Sequence, residues 1–470
     1  MANTSPWIHQ LDKDRKTVSL TSDEVADIAV VGAGIAGIST VFFLLKNTDK
    51  KVLLIEGDKL AHGATGHNAG QIAGYFEKPF SEIVKEFGLE MACEGQKSFD
   101  TAWELLNQIY TEAGLDIPLF RFQGYVGYST EEQVLIHLEN NFLRRKGGLY
   151  TGPIEIWEDA DFLHKLPLKY HGLFSLVSHD EIALKLETFD PQYIAVNSAQ
   201  KGVMNSALFC QEVVSFLLEV YPERFGLYEY TRINKVILKE DKVLLDAEKH
   251  TVECDKVILC TNGFEKFEIF APSGLSIDTR FHHSLRGVVA FMAGYLEKFT
   301  GIPAALSYFQ KNSKKTETGA SYFYVTRRPY EYEERIKHNL MSVGGPEFEL
   351  EKKEYDRTRE VSSSAKSEIT NFIKDTYDKA KDLEYSFLWH GVMGYTTNRL
   401  RMIGPDPEHN RLYYNLGCNG VGILLSIFGG DKVAREIAGE VFSPSIFDIP
   451  PRLGRLSGRR RARVLVSPSR

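Results

Sequence analysis

The chain has 470 residues, of which 43% are hydrophobic, and its formal net charge is −7. This length and composition are typical of a soluble globular protein with two domains or one large two-part fold. The last nineteen residues carry seven arginines and no acid, so the remainder is more acidic than the total and gives no reason to expect nucleic-acid binding.

The cysteine pattern and the first residues indicate the compartment. The five cysteines are scattered and form no C-x-x-C pair, which disfavours a disulfide framework and a zinc site, and we expect no metal. Residues 1–20 mix acidic and basic side chains and lack the apolar core of a signal peptide. The sequence therefore predicts a cytoplasmic protein.

A strand, a glycine-rich turn, a helix and a second strand are predicted over residues 26–56. Three glycines with G-x-G-x-x-G spacing follow the first apolar strand, and an acid ends the second. Such glycines permit a tight turn, close approach of a pyrophosphate and close helix packing, while the acid is placed to bind a ribose hydroxyl. The pattern predicts a dinucleotide site. Its candidate residues are Gly32, Gly34, Ile35, Ala36, Gly37 and Glu56.

Residues 28–45 also allow a different interpretation, because this stretch has no charged residue and is nearly long enough to cross a membrane. A membrane helix would leave the glycine spacing and the acid-terminated second strand unexplained. No other stretch resembles a transmembrane segment. We therefore favour the dinucleotide site and expect no membrane span.

A loop of small residues follows the second strand at residues 62–72. Glycines in such a loop let the backbone lie close to a ligand. Its candidate cofactor contacts are Gly63, Ala64, Thr65, His67, Asn68, Ala69 and Gly70.

The middle of the chain alternates predicted helices and strands. Helices are predicted at 80–115, 131–146 and 206–221, and strands at 124–128, 233–239, 242–247 and up to residue 260. The last strand is apolar and ends in small polar residues, as expected where a sheet meets a cofactor. The candidate contacts here are Val236, Thr261, Asn262 and Gly263.

A strand-rich region and a second glycine-rich helix start complete the chain. Strands are predicted at 287–291, 321–326, 340–344 and 412–416, and helices at 362–380 and 423–439. A second such helix start suggests another contact with the same large ligand. The candidate residues at this helix start are Gly420, Val421, Gly422 and Ile423, and Gly394, which precedes it in the sequence, is a further candidate. Residues 452–470 are predicted to be a disordered basic tail, although their arginines could also contact nucleic acid.

The number of dinucleotide motifs indicates the cofactor. There is one G-x-G-x-x-G fingerprint and no second, so a tightly held FAD, which also explains the other glycine-rich segments, fits better than NAD. Together these motifs, in order over residues 25–440, resemble the FAD-dependent D-amino-acid oxidase superfamily. The loop at 63–72 is most similar to the gamma-glutamylputrescine oxidase branch, which is related to glycine and sarcosine oxidases.

The resemblance implies an α/β fold of two domains. One is a Rossmann-like FAD-binding domain of glutathione-reductase type, and the other an antiparallel-sheet substrate domain. We expect the FAD-binding domain at residues 22–80, 186–275 and 386–442, and the substrate domain at 81–185 and 276–385.

The resemblance also implies oxidation of a carbon–nitrogen bond in a small-molecule amine or amino acid. Hydride passes to the flavin and electrons continue to oxygen or another acceptor, without an obligatory catalytic base. The alternative is a flavin-binding subunit or interaction protein without turnover.

His67 stands where that branch usually has arginine. In the similar dimethylglycine and sarcosine dehydrogenases, a histidine in this loop is bonded covalently to the flavin. The resemblance therefore implies either a covalent histidyl-flavin or a histidine that hydrogen-bonds the cofactor.

Substrate-binding candidates lie on the strand predicted at 321–326. Tyr322 and Tyr324 share one face, and Arg327 could bind a substrate carboxylate. An aromatic strand with a solvated basic end is the competing interpretation. Weaker candidates are His282, His283 and Arg286.

Overall fold

Two large β-sheets and the helices packed on them form the protein. The computed structural model describes residues 3–263, 266–272, 275–311, 315–316, 319–320, 322–332, 336–350, 355–377 and 383–449. Its helices are α1 (Pro6–His9), α2 (Ile35–Asn47), α3 (Phe80–Phe87), α4 (Leu89–Glu112), α5 (Glu131–Lys146), α6 (His179–Leu186), α7 (Ser206–Val220), α8 (Ile277–Ser284), α9 (Ser363–Tyr377) and α10 (Ile423–Ile437).

The strands are β1 (Glu24–Val31), β2 (Val52–Ile55), β3 (Gln71–Ala73), β4 (Phe120–Tyr128), β5 (Ile154–Trp157), β6 (Phe174–Val177), β7 (Ala195–Val203), β8 (Phe225–Tyr228), β9 (Lys235–Leu238), β10 (Val243–Ala247), β11 (His250–Leu259), β12 (Glu268–Phe270), β13 (Leu285–Lys298), β14 (Ala304–Phe309), β15 (Lys315–Thr316), β16 (Gly319–Ala320), β17 (Phe323–Tyr332), β18 (Ile336–Glu349), β19 (Phe387–Thr396), β20 (Met402–Asp406) and β21 (His409–Leu416).

The first sheet brings the glycine-rich turn to the carboxyl edge of parallel strands. Its order is β12-β9-β10-β11-β1-β2-β8, and β21 pairs with both β11 and β20. Because β1 runs parallel to β2 and β11, Val31 stands opposite Ile55 and Leu259. The segments after these residues therefore meet at one edge, where ligands bind in parallel α/β sheets.

Helices α2 and α10 pack closely against each other beside this sheet. A Cβ atom on Gly430 of α10 would lie only 2.7 Å from the backbone nitrogen of Thr40 in α2. Asn415 of β21 donates to Thr40 Oγ1 at 3.1 Å and to the Ser426 carbonyl at 2.9 Å, which ties both helices to the sheet.

The uncharged stretch at residues 28–45 is divided between β1 and α2. Parallel pairing of β1 on both sides places this strand inside the sheet. Across the described ranges, no helix is long and apolar enough to cross a membrane.

The second sheet has the order β19-β13-β18-β17-β14-β4-β7-β5-β6, with β3 paired to β7. Its pairs are antiparallel except β14 with β4 and β5 with β6. The predicted boundaries assign β3, β7 and β19 to the FAD-binding segments, but their hydrogen bonds place these strands in the second sheet. Proximity to a motif in the sequence did not reveal which sheet a strand would join.

Helix α9 covers one face of the second sheet. Phe323 of β17 stacks on Phe372 of α9, with ring centroids 4.1 Å apart and planes within 4°. Since successive strand residues point to opposite faces, Tyr324 points away from α9. The cavity described below lies on that other face.

Helix bounds follow the predictions more closely than strand bounds. The helix predicted at 131–146 is observed as α5, and that at 206–221 ends one residue earlier, at Val220. By contrast, β13 and β18 extend well beyond the predicted cores, because backbone pairing continues through polar ends such as Lys298 with His338. The predicted tail at 452–470 and Ser321 lie outside the described residues.

Candidate functional site

The turn after β1 has space only for glycine at two positions. Gly32 has φ +106°, and a Cβ atom there would lie 2.7 Å from the Cys260 carbonyl oxygen. A Cβ atom on Gly37 would lie 1.9 Å from the Gly32 carbonyl oxygen. The turn therefore packs backbone against backbone at the start of α2.

Glu56 is fixed beside this turn at the end of β2. One carboxylate oxygen accepts the N–H of Ala33 and the other that of Asp58, both at 2.9 Å. Burial raises the pKa of Glu56, while these two hydrogen bonds oppose the shift. The carboxylate is thus held at the cavity wall.

Thr65 connects the small-residue loop to the start of α2. Its Oγ1 accepts the N–H of Ile35 at 3.0 Å, and its carbonyl accepts a hydrogen bond from Ser206 Oγ at 2.6 Å. A Cβ atom on Gly34 would lie 2.9 Å from Thr65 Oγ1. The loop and the glycine-rich turn therefore form one continuous wall.

His67 also lines the cavity. Its Nδ1 lies 3.1 Å from the Gly63 carbonyl oxygen, and since a carbonyl only accepts, Nδ1 donates this hydrogen bond. The backbone of Asn3 is a second hydrogen-bond partner of the ring. Burial lowers the pKa of His67 to about 4, so the imidazole is neutral near pH 7.

Two segments that follow β11 and β21 meet at the same edge. Asn262, with φ +59°, accepts the N–H of Cys418 through Oδ1 at 3.1 Å. A Cβ atom on Gly263 would lie 2.9 Å from Gly394 Cα. Thr261 Oγ1 is buried without a hydrogen-bond partner in the described structure.

The second glycine-rich helix start approaches an unpredicted acid. Gly420 has φ +84°, and a Cβ atom there would lie 2.9 Å from Glu77 Cγ and 3.0 Å from the Tyr395 hydroxyl. Gly422 caps α10 without a side-chain hydrogen bond. This helix start therefore leaves its first N–H groups beside the cavity.

These segments surround a cavity of about 470 Å³. Most sequence-predicted cofactor residues line it, namely Gly32, Gly34, Ile35, Ala36, Glu56, Gly63, Ala64, Thr65, His67, Asn68, Ala69, Thr261, Asn262, Gly263, Gly420, Val421, Gly422 and Ile423. Four others do not. Gly37 and Gly394 pack against neighbouring backbone, and Gly70 packs against the ring of Trp7. Val236 is buried within β9.

The two predicted tyrosines reach the cavity and the predicted arginine does not. Tyr322 and Tyr324 line it. Arg327 points to the other face of β17, where it forms a bidentate pair with Glu187 at 2.6 and 2.8 Å. Arg327 lies three residues after Tyr324, and in a strand residues separated by an odd number of positions point to opposite faces. This spacing was the sequence signal that the two side chains would be separated.

The three weaker candidates also lie elsewhere. His282 is 3.3 Å from Asp278, and Arg286 is 3.2 Å from Glu349. His283 and Arg286 line a second, smaller cavity, of about 290 Å³.

Several residues that line the main cavity were missed, namely Asp58, Tyr75, Glu77, Glu347, Tyr355, Arg357, Tyr395 and Arg401. Tyr395 directly follows Gly394, a predicted cofactor contact, and Glu77 lies five residues after the loop at 62–72, which was the available signal. The other six belong to none of the predicted motifs.

An acidic, aromatic end distinguishes one part of the cavity. The Tyr322 hydroxyl donates to Glu77 Oε1 at 2.5 Å. Burial raises the pKa of Glu77, and burial together with the charge of Glu77 raises the pKa of Glu347 to about 8. Behind them, burial lowers the pKa of Lys201 to about 7, and its Nζ donates to Ser307 at 2.9 Å.

The fold and the site define a protein in which a glycine-rich turn at the edge of a parallel sheet lines a cavity that extends to the face of a second sheet. A family model described as DAO, FAD dependent oxidoreductase, matches residues 27–436. The chain therefore belongs to the DAO family of FAD-dependent oxidoreductases.

Three distant but similar proteins each align with nearly the whole chain. "Probable oxidoreductase OrdL" of Haemophilus influenzae is 20% identical, over 94% of this chain and 90% of that protein. Glycine oxidase from Geobacillus kaustophilus superposes with a TM-score of 0.65 at 16% identity, covering 92% of this chain and 100% of that one. L-proline dehydrogenase from P. horikoshii superposes with a TM-score of 0.63 at 16% identity, covering 91% of this chain and 97% of that one. At these identities the solved structures show the fold alone.

The residues present fit the family's cofactor. The turn at Gly32 and Gly34 excludes side chains from the phosphate-binding backbone. The unpartnered Thr261 hydroxyl and the helix start after Gly422 offer hydrogen-bonding groups that protein atoms do not use.

Proposed function

We propose that the protein oxidises a carbon–nitrogen bond of a small-molecule amine or amino acid. The observation that carries the proposal is the continuity of one cavity from the dinucleotide turn to the pocket between Tyr322 and Tyr324. The names of two similar structures, a glycine oxidase and an L-proline dehydrogenase, support this choice of substrate class.

When bound, FAD would accept a hydride from the substrate carbon while the amine nitrogen gives up a proton, which yields an imine that water hydrolyses. The chain orients the substrate and excludes water. Tyr322 and Tyr324 form aromatic walls, and Glu77 is positioned by the Tyr322 hydroxyl to hold a proton or accept an N–H. Helix α10 presents its N-terminal dipole end to developing negative charge.

We propose that the cavity-lining residues predicted from the sequence hold FAD, and that the first sheet carries the FAD-binding domain. The second sheet, including β3, β7 and β19, then belongs to the substrate domain. For His67 the neutral imidazole supports a noncovalent contact with the flavin, and covalent attachment through Nε2 is the alternative.

Anaerobic flavin reduction tests the function. Purified protein reconstituted with FAD is mixed with a panel of primary amines, secondary amines and amino acids while the flavin absorbance is followed. Bleaching by at least one compound is expected. The return of colour when air is admitted identifies oxygen as acceptor, and slow return indicates another acceptor. A flavin that no member of the panel bleaches would favour a binding protein without turnover.

A further inference from the structure

Two carboxyl groups, Glu77 and Glu347, line the same end of the cavity. Glu77 follows β3, and Glu347 lies on β18 opposite Ala290 of β13. The two side chains are near enough for the charge of Glu77 to oppose ionisation of Glu347. Three tyrosines line this end with them, namely Tyr322, Tyr324 and Tyr395.

The two acids differ in their partners. Glu77 accepts a hydrogen bond from Tyr322 and is stabilised by the positive charges of Lys201 and Arg399. Glu347 forms no side-chain hydrogen bond or ion pair within the described residues. A partly buried carboxyl group that faces a cavity without a cation is suited to bind one from a ligand.

Four cations among the described residues line the cavity, namely Arg232, Lys266, Arg357 and Arg401. Arg357 pairs with Asp58, close after the acid that ends β2, and Arg401 donates to Asn415 of β21 at 2.7 Å. The charged side chains that line the aromatic end are Glu77 and Glu347, whereas Lys201 and Arg399, which act on Glu77, are not among the lining residues. A substrate carboxylate at this end would therefore face two acids.

We propose, as an extension of the proposed function, that the substrate is an amine with a second, protonated group and no carboxylate at that end. Glu347 binds the protonated group, and Glu77 faces the amine that is oxidised. Tyr324 and Tyr395 supply aromatic surface to the aliphatic chain and to the cation. Glu347 then determines the specificity for a substrate with a second protonated group.

The protonation of Glu347 gives this site a pH dependence. A bound cation favours the ionised carboxylate, so binding releases a proton below the pKa of about 8, and affinity for the cation should rise as pH increases toward that value. The titratable groups near this end of the cavity whose charges interact with one another are Glu77, Lys201, Tyr324 and Tyr395.

Three probes with similar chains test the inference on the FAD-loaded enzyme: 1,4-diaminobutane, n-pentylamine and 5-aminopentanoate, which end in an ammonium, a methyl and a carboxylate. We expect the diamine to reduce the flavin with a KM about tenfold below the other two. Glu347→Gln should raise the KM for the diamine about tenfold and leave that for n-pentylamine within about twofold. Glu347→Asp, which keeps the charge, should retain the preference.

Glu349→Gln is the matched control, because Glu349 lies two residues further along β18 and pairs with Arg286. It should change neither KM. Equal effects of Glu347→Gln on both amines, or a preference for 5-aminopentanoate, would overturn the inference. If no amine bleaches the flavin, the proposed function fails. In that case the absorbance spectrum of the oxidised flavin is followed while the diamine is added, which tests cation binding separately. A spectral response that Glu347→Gln leaves unchanged would overturn the proposed cation site.

Discussion

Gly34 lies in the turn at which we propose that the pyrophosphate of the dinucleotide binds. Its Cβ position lies 2.9 Å from Thr65 Oγ1, which accepts the N–H of Ile35. We predict that Gly34→Val loses most of its FAD, because the side chain occupies the path of the pyrophosphate. The measurement is the ratio of flavin to protein after purification, with circular dichroism as the check on folding.

Gly74→Ala serves as the control for a glycine replacement. The nearest neighbour of a Cβ atom there is the Gln200 carbonyl oxygen at 3.7 Å, an ordinary contact. This variant should retain full FAD content. Full occupancy in Gly34→Val as well would place the cofactor elsewhere.

At His67 the open question is the bond to the flavin. For a noncovalent contact, acid precipitation releases all FAD into the supernatant, and His67→Ala weakens binding without changing the mass of any peptide. His62→Ala is the control, because His62 is the first residue of the same loop, hydrogen-bonds the Leu60 carbonyl at 2.8 Å and does not line the described cavity. A yellow precipitate, with flavin mass on the peptide containing His67, would instead show covalent attachment.

At the scale of the elements, the side chains of strand β17 and of the residue before it alternate between the two faces of the sheet. Tyr322 and Tyr324 face the cavity, whereas Arg327 pairs with Glu187 on the other face. We predict that Arg327→Ala leaves the KM of every substrate within about twofold and lowers stability by about 1–2 kcal/mol. Substrate kinetics and urea unfolding measure the two effects.

A double-mutant cycle with Glu187→Ala isolates the ion pair. The two single variants and the double variant should be destabilised to a similar degree if the pair accounts for the effect. A KM that rises selectively for acidic substrates in Arg327→Ala would return this residue to the substrate site.

Elements with a strong local signal could be predicted from the sequence. Helix α5 has a capping box at Thr130 and Gln133, and its basic last turn is followed by Gly147. Strand β7 carries several polar residues and pairs with β4, β5 and β3, which are remote in sequence. Its existence depends on those partners, and local propensity does not reveal them.

For the whole molecule, the same difference in local signal separates the proposed cofactor site from the proposed substrate site. The glycine-rich turn and the segments at 63–69, 261–263 and 420–423 could be predicted because backbone geometry near a phosphate or flavin restricts residue type locally. Glu77 follows β3 and Glu347 lies on β18, two strands of the second sheet that are far apart in sequence. Only the order of those strands and their approach to the first sheet bring the two acids together.

A crystal structure of the protein purified with its flavin tests the central claim most directly. We expect FAD with its pyrophosphate at Gly32 and Gly34, its ribose at Glu56, and its isoalloxazine ring near Gly420, with Glu77 and Tyr322 facing the ring across the substrate pocket. A flavin bound outside this cavity, or one whose ring lies away from Glu77 and Tyr322, would show that the proposed site is wrong.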